Sequence, residues 1–406
     1  MTQKTTTALL ATLCAALAGC DTAPKTAVTK CELGQAIPGA AKTDILFVVD
    51  DSGSMADNQK NLADNLDAFI QVLASSPVKN EFQIGITTTS VSNFTRGGDG
   101  LDSTTYLPRD ENNNPCPNAN QQYPAGELIA ITPGSGGVID YTLTRILAAS
   151  SPTLVTDFQN DVRVGICGSG KEQGLRTMKL ALSDRLTDGT NAGFLRPDAR
   201  LAVVIVSDED DYSELHNPGQ VTDNPTSHKA ATKANPDIYV PVQSYVDFLH
   251  GTLAGQGRDV TVAVIAGVDP TTKQPAAGAG SGCTTAYDSA DRYAQFVSAF
   301  GSKGLIDSIC NPSFRTTLQE IAGLLDPGQS MPLDQVPADW RMLSVSVVSA
   351  AGTRTSCSVG LDGAGGTPDV VYTPPIGATR GSLTFVSDAC KLHQGDRVDL
   401  KVLCAG

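Results

Sequence analysis

The nine residues FVVDDSGSM (47–55) pass directly from an apolar run to Asp50, Asp51, Ser52, Gly53 and Ser54. Positions 50, 52 and 54 carry one carboxylate and two hydroxyls, all hard oxygen donors. Such donors suit Mg²⁺, Mn²⁺ or Ca²⁺ and not soft metals. Gly53 lets the backbone turn tightly enough for alternate side chains to converge. The plainer reading is helix capping, since Asp and Ser after a strand often accept the first free N–H groups of the next helix. Ser54 or Asp57 would then cap a helix at 57–74, and Ser169 one at 172–184.

The D-x-S-x-S pattern at the end of an apolar strand resembles the metal-ion-dependent adhesion site of von Willebrand factor A domains. The resemblance covers about 43–325 and implies two further ligand segments. A hydroxyl just ahead of a helix falls at Ser169 in GSGKEQGL (168–175), with Gly174 and Leu175 matching the family's small residue and Leu. Serine here in place of the family's threonine keeps the oxygen and loses the rotamer-restricting methyl. An Asp closing a buried strand falls at Asp208 in LAVVIVSDEDD (201–211), followed by Glu209, Asp210 and Asp211 where family members commonly have Gly. Those three read as a solvated acidic loop with no ligand role.

The resemblance thus implies a site of Asp50, Ser52, Ser54, Ser169 and Asp208 around Mg²⁺ (or Mn²⁺ or Ca²⁺). Its hydroxyls would touch the ion, while the aspartates often act through water. So few charged ligands leave the ion electrophilic, with an open position for an acidic residue of a protein partner. The expected activity is adhesion or protein binding, not catalysis.

Such a site needs strands that bring distant loops to one edge. Residues 44–49 (DILFVV) are almost wholly apolar, the mark of a strand covered on both faces. FQIGITTT (82–89), 201–206 and 260–265 read as further strands. Leu62, Leu66, Phe69, Ile70 and Leu73 fall on one face of a helix at 57–74. Other helical segments lie near 172–184, 240–253 and 313–325. The alternation predicts an α/β fold with a doubly wound, mostly parallel sheet flanked by helices. Stretches 91–138 and 269–282 lack periodicity and read as surface insertions. Beyond Pro327, short alternating runs predict a small antiparallel β module at 335–406, held by its cysteines.

The first residues, MTQKTTTALLATLCAALAGC, pair Lys4 with a short apolar stretch, the layout of a secretory signal. Leu17-Ala18-Gly19-Cys20 resembles a bacterial lipobox. That implies a signal peptide at 1–19, lipidation of Cys20, a membrane-proximal linker at 20–42, and anchoring in the cell envelope at an inner or outer membrane. Setting aside Cys14 and Cys20, eight of the ten cysteines remain, an even number that fits disulfides in an exported chain. Proximity pairs Cys283 with Cys310 and Cys390 with Cys404. No CxxC occurs, which leaves zinc and thioredoxin chemistry without support.

A net charge of −14 disfavours nucleic acid as a partner. A haloacid-dehalogenase-like phosphohydrolase is the enzymatic alternative, but it needs a carboxylic acid two residues after its nucleophile, where this chain has Ser52. A scaffold that has lost its metal is the other alternative. The histidines, His216, His228, His250 and His393, read as surface or loop residues, and no G-x-S-x-G is present.

Overall fold

A computed structural model of the chain describes residues 28–36, 41–91, 125–214, 238–253, 258–326, 328, 330–333, 337, 339–375 and 381–405. The signal segment, Cys20 and the heart of the 91–138 stretch lie outside the described residues.

Strand β1 (Val28–Ala36) precedes β2 (Ala41–Val49), which leads into helix α1 (Ala56–Ala74) and strand β3 (Asn80–Thr88). Strand β4 (Ile146–Ala148), α2 (Leu154–Asp161), α3 (Gly174–Ala181) and α4 (Asp184–Thr187) then lead to β5 (Arg200–Val206). Helix α5 (Val242–Asp247) runs into a π-helical turn, Phe248–Leu253, before β6 (Val260–Ala266), α6 (Asp291–Ser298), β7 (Gly304–Ser308) and α7 (Arg315–Leu324).

Strands β2 to β7 form a six-stranded sheet in the order β4-β3-β2-β5-β6-β7, parallel except for β4. The doubly wound sheet flanked by helices is the expected architecture. Alternation along β2 explains its apolar run. Ile45, Phe47 and Val49 enter one core with α1, α2 and α7, while Leu46 and Val48 enter the other with α3, α5 and α6. Phe47 meets the rings of Phe69 and Phe158 edge-on, with centroids 5.9 Å and 4.9 Å away. The predicted face of α1 is inward, with Leu62, Leu66, Phe69 and Leu73 buried and Ile70 partly so.

Several expectations need correction. Residues 28–36 are not simply linker, because β1 pairs antiparallel with β14 (Arg397–Ala405) along nine residues. Ala41 and Lys42 already belong to β2. The 91–138 stretch is not wholly a surface insertion, since Leu128, Ile129, Ala130 and Ile131 are buried at 2% exposure or less. Polar neighbours mask that short apolar segment in the sequence. His250 is buried, its ring stacked on Phe300 at 4.5 Å, and so is not a surface histidine.

The C-terminal module begins at β8 (Ser330–Pro332) and continues with β9 (Ser344–Val348), β10 (Arg354–Cys357), β11 (Val359–Leu361), β12 (Val370–Thr373) and β13 (Ser382–Phe385). Two four-stranded sheets result, β1-β14-β9-β10 and β11-β12-β13-β8, all antiparallel except the β11–β12 pair. Cys390 is bonded to Cys357, not to Cys404 as proximity predicted, whereas Cys283–Cys310 forms as expected. Cys167 is also disulfide-bonded.

The module joins the α/β unit at the amino ends of its strands. Ser302, just ahead of β7, donates its N–H to Asp362 (3.0 Å) and shares a hydroxyl contact with Thr373 (2.9 Å). Gln394 N donates to the Pro77 carbonyl ahead of β3 (3.1 Å), and Arg200 at the start of β5 bonds the Ser330 carbonyl.

Candidate metal centre

Sheet register brings the first two loops together. Val49 lies opposite Val206, so Asp50 and Ser207 leave adjacent parallel strands side by side, and Asp50 N donates to the Val206 carbonyl (2.9 Å). From β2 the chain turns toward β3 and from β5 toward β6, so the gap between them is a topological switch point. Open α/β sheets bind ligands there, at the carboxyl edge.

Asp50 is fully buried, and both its oxygens are engaged: Oδ1 accepts from Ser52 N (2.8 Å) and Oδ2 from Ser207 Oγ (2.6 Å). It shapes the turn that carries Ser52 and Ser54. Ser52 Oγ lies 3.3 Å from Ser54 Oγ, which donates to Asp208 Oδ1 (3.0 Å). Ser54 is exposed, whereas Ser52 and Asp208 are buried. One end of this oxygen row opens to solvent.

The row fits a hard cation. Octahedral ligands 2.0–2.1 Å from an ion stand about 3 Å apart along each edge, close to the spacings seen here. Asp208 Oδ2 is buried without a hydrogen-bond partner. Among the described residues no three His, Cys, Asp or Glu side chains are arranged to hold a metal ion.

The capping alternative fails at both helices. Met55 occupies the N-cap of α1 and Gln173 that of α3, neither with a side-chain cap bond. Ser54 instead reaches Asp208 across the sheet. Ser169 is held within its own loop: its Oγ accepts from Lys171 N (3.1 Å) and its N–H donates to Ser90 Oγ (2.9 Å). Ser90 Oγ in turn donates to Asp51 Oδ1 (2.8 Å), and Gly168 N donates to the Asp51 carbonyl (2.6 Å). The loop of Ser169 is thus fastened to Asp51, one residue from the site. A Cβ on Gly168 would sit 2.1 Å from Asp51 Cγ, and one on Gly174 would sit 2.4 Å from the Tyr293 hydroxyl. Close approach explains the small residue at each position.

The acidic run after Asp208 is not a solvated loop. Glu209, Asp210 and Asp211 are 4%, 3% and 0% exposed. Asp210 accepts the Arg292 N–H at the start of α6 (3.0 Å), while Asp211 pairs with the Arg292 guanidinium (2.9 Å) and accepts Leu175 N at the start of α3 (3.0 Å). Helix starts attract such carboxylates through their free N–H groups. Sequence reading missed Ser90, Ser207, Glu172 and these helix contacts. The only available signal was position, a hydroxyl or acid within a few residues of each strand end.

Burial pushes Asp50 up to about 6 and Asp51 up to about 7. Asp208 is raised to about 8, first by burial and then by the charge of Asp50. A cation would reverse these displacements by favouring the ionised forms.

No family model and no curated protein matches the chain. Similar solved structures include proximal thread matrix protein 1 from the mussel byssus, at 13% identity and a TM-score of 0.36, covering 75% of this chain and 51% of that one. Another is the pilus adhesin SpaC of Lactobacillus rhamnosus GG in its open conformation, at 10% identity and a TM-score of 0.34, covering 92% of this chain and 40% of that one. The chain spans about half the length of these structures or less. Likeness at this level carries no argument about the site.

Proposed function

We propose that the protein is an interaction or adhesion module of von Willebrand factor A type, built around a hard divalent cation such as Mg²⁺. The observation that carries this reading is the oxygen row Ser52–Ser54–Asp208 at the switch point of the sheet, open to solvent at Ser54. Ser52, Ser54 and Asp208 would hold the ion, and Asp50 would fix the turn that presents them. The ion would supply an electrophilic centre for a carboxylate on a protein partner. Ser169 contributes by fastening its loop to the Ser90–Asp51 pair. An exported chain anchored through lipid on Cys20 to an envelope membrane is part of the same proposal.

A phosphohydrolase reading has less support. Asp50 is fully buried with both oxygens hydrogen-bonded, a poor arrangement for a nucleophile, and position 52 is not an acid. Calorimetry with Mg²⁺ and Mn²⁺ tests the proposal, with saturable binding expected for the natural chain and none for Ser52→Ala. Equal binding by both would sink it. Partners captured without chelator and released by it would identify the ligand. Phosphatase turnover abolished in Asp50→Asn would instead favour the enzyme.

A further inference from the structure

The acids near the candidate metal centre divide by whether a positive group answers them. Asp210 and Asp211 face Arg292, and Glu214 pairs with Lys171. Glu172 and Glu209 face no such group. Glu172 is completely buried, and apart from the Glu209 carboxyl neither of its oxygens meets a hydrogen-bonding group; Oε2 of Glu209 likewise meets none but Glu172. The two side chains are hydrogen-bonded to each other, Glu209 is also hydrogen-bonded to the side chain of Tyr212, and the nearby charges, Asp50 and Asp208, are also negative.

Two carboxylates withdrawn from water require a positive charge or a proton between them. Their loops are fixed in place. Tyr212 N donates to the Glu172 carbonyl (2.7 Å), Gln173 N donates to the Thr89 carbonyl (3.1 Å), and Ser207 Oγ accepts from Glu209 N (3.2 Å). The backbone therefore holds the pair in place from both sides.

We propose that Glu172 and Glu209 bind a second hard divalent cation, beside the one assigned to Ser52, Ser54 and Asp208. This inference rests on the reading that this edge of the sheet binds cations. One or two carboxylates suffice to hold Mg²⁺ or Mn²⁺, with other oxygens completing the shell. Two divalent ions would balance the four negative charges of Asp50, Asp208, Glu172 and Glu209. The inner ion would also withdraw electron density from the shared acidic surroundings, so that the outer ion attracts a partner's carboxylate more strongly.

Mn²⁺ titration of the purified chain followed by electron paramagnetic resonance, with anomalous diffraction from Mn²⁺-soaked crystals, tests this. The expected result is two ions per chain, close enough to broaden each other's signal. Glu172→Gln/Glu209→Gln should then keep one ion with a sharp signal, and Ser52→Ala/Ser54→Ala should keep only the inner one. Melting in chelator checks that each variant is folded. A single ion, lost in the serine variant and unaffected in the glutamine variant, would overturn the second site and leave the adhesion centre standing, the glutamates then sharing a proton. A single ion with the opposite dependence would support the glutamate site and overturn the proposed function. No bound Mn²⁺ would overturn both.

Discussion

At the scale of single residues, the site consists of hydroxyls that need no proton change and carboxylates that do. Burial and the neighbouring charge hold Asp208 protonated up to about 8, and burial holds Asp50 protonated up to about 6. A cation binds the ionised forms, so its association must expel protons. Mg²⁺ affinity should rise with pH, by on the order of 50-fold between pH 6 and 8 for a single proton expelled from Asp208 at about 8. Calorimetry in buffers of different ionisation heat would reveal the released proton directly; affinity independent of pH would contradict the role of these acids. Ser52→Ala should abolish binding, whereas Ser169→Ala, which removes no member of the oxygen row, should weaken it by less than about tenfold, a loss of roughly 1 kcal/mol for one neutral hydrogen bond. D-x-S-x-S was legible because all three donors lie within five consecutive residues. Glu172 and Ser90 were not, since their roles depend on loops meeting across the sheet.

At the scale of elements, positions that tolerate no added atom define the site as firmly as its donors do. Gly168→Ala would drive a methyl group into the Asp51 carboxyl. The expected cost is about 1–3 kcal/mol of stability, with cation affinity falling in parallel. Denaturant unfolding and calorimetry on the same sample would check both. Away from the site, Asp161 at the end of α2 accepts Ile131 N (2.8 Å) and is pushed up to about 7 by burial. An unfolded Asp ionises near 4. Between about pH 4 and 7 the unfolded chain has lost a proton that the folded chain keeps, so stability falls as pH rises through this window. Asp161→Asn retains an acceptor for Ile131 and should stabilise the protein at pH 7.5 by on the order of 1–3 kcal/mol, with no gain at pH 4. Unfolding midpoints at the two pH values give the answer. The long parallel strands were readable from sequence because burial on both faces leaves unbroken apolar runs, as in 44–49. Strands β4 and β7 were not, being edge strands of three and five residues, one of them carrying Asp307. Helix α6 was hidden because its register comes from Asp210 and Asp211, far away in the chain.

At the scale of the whole molecule, the candidate metal centre and the β module occupy opposite edges of one sheet. The module holds Asp362, Thr373 and Gln394 against the amino ends of β3 and β7, while Ser54 opens at the carboxyl end of β2. A chain of residues 37–326 should therefore bind Mg²⁺ as tightly as the full protein, although it loses the module and β1. Loss of binding in that chain, while circular dichroism shows it folded, would mean that the module acts on the site from a distance. The module's outline was visible in its short alternating runs. Its first strand was not, because Val28–Ala36 finds its partner at the other end of the sequence. That pairing has a mechanical consequence. If the protein is held from its N-terminal side and gripped at the cation, tension enters through Val28 and leaves through Ala36, along the axis of β1. The backbone of β1 then carries the load from end to end, and the nine-residue ladder with β14 lies beside that path and not in it. The module would then stay folded while the pull runs past it to the α/β unit.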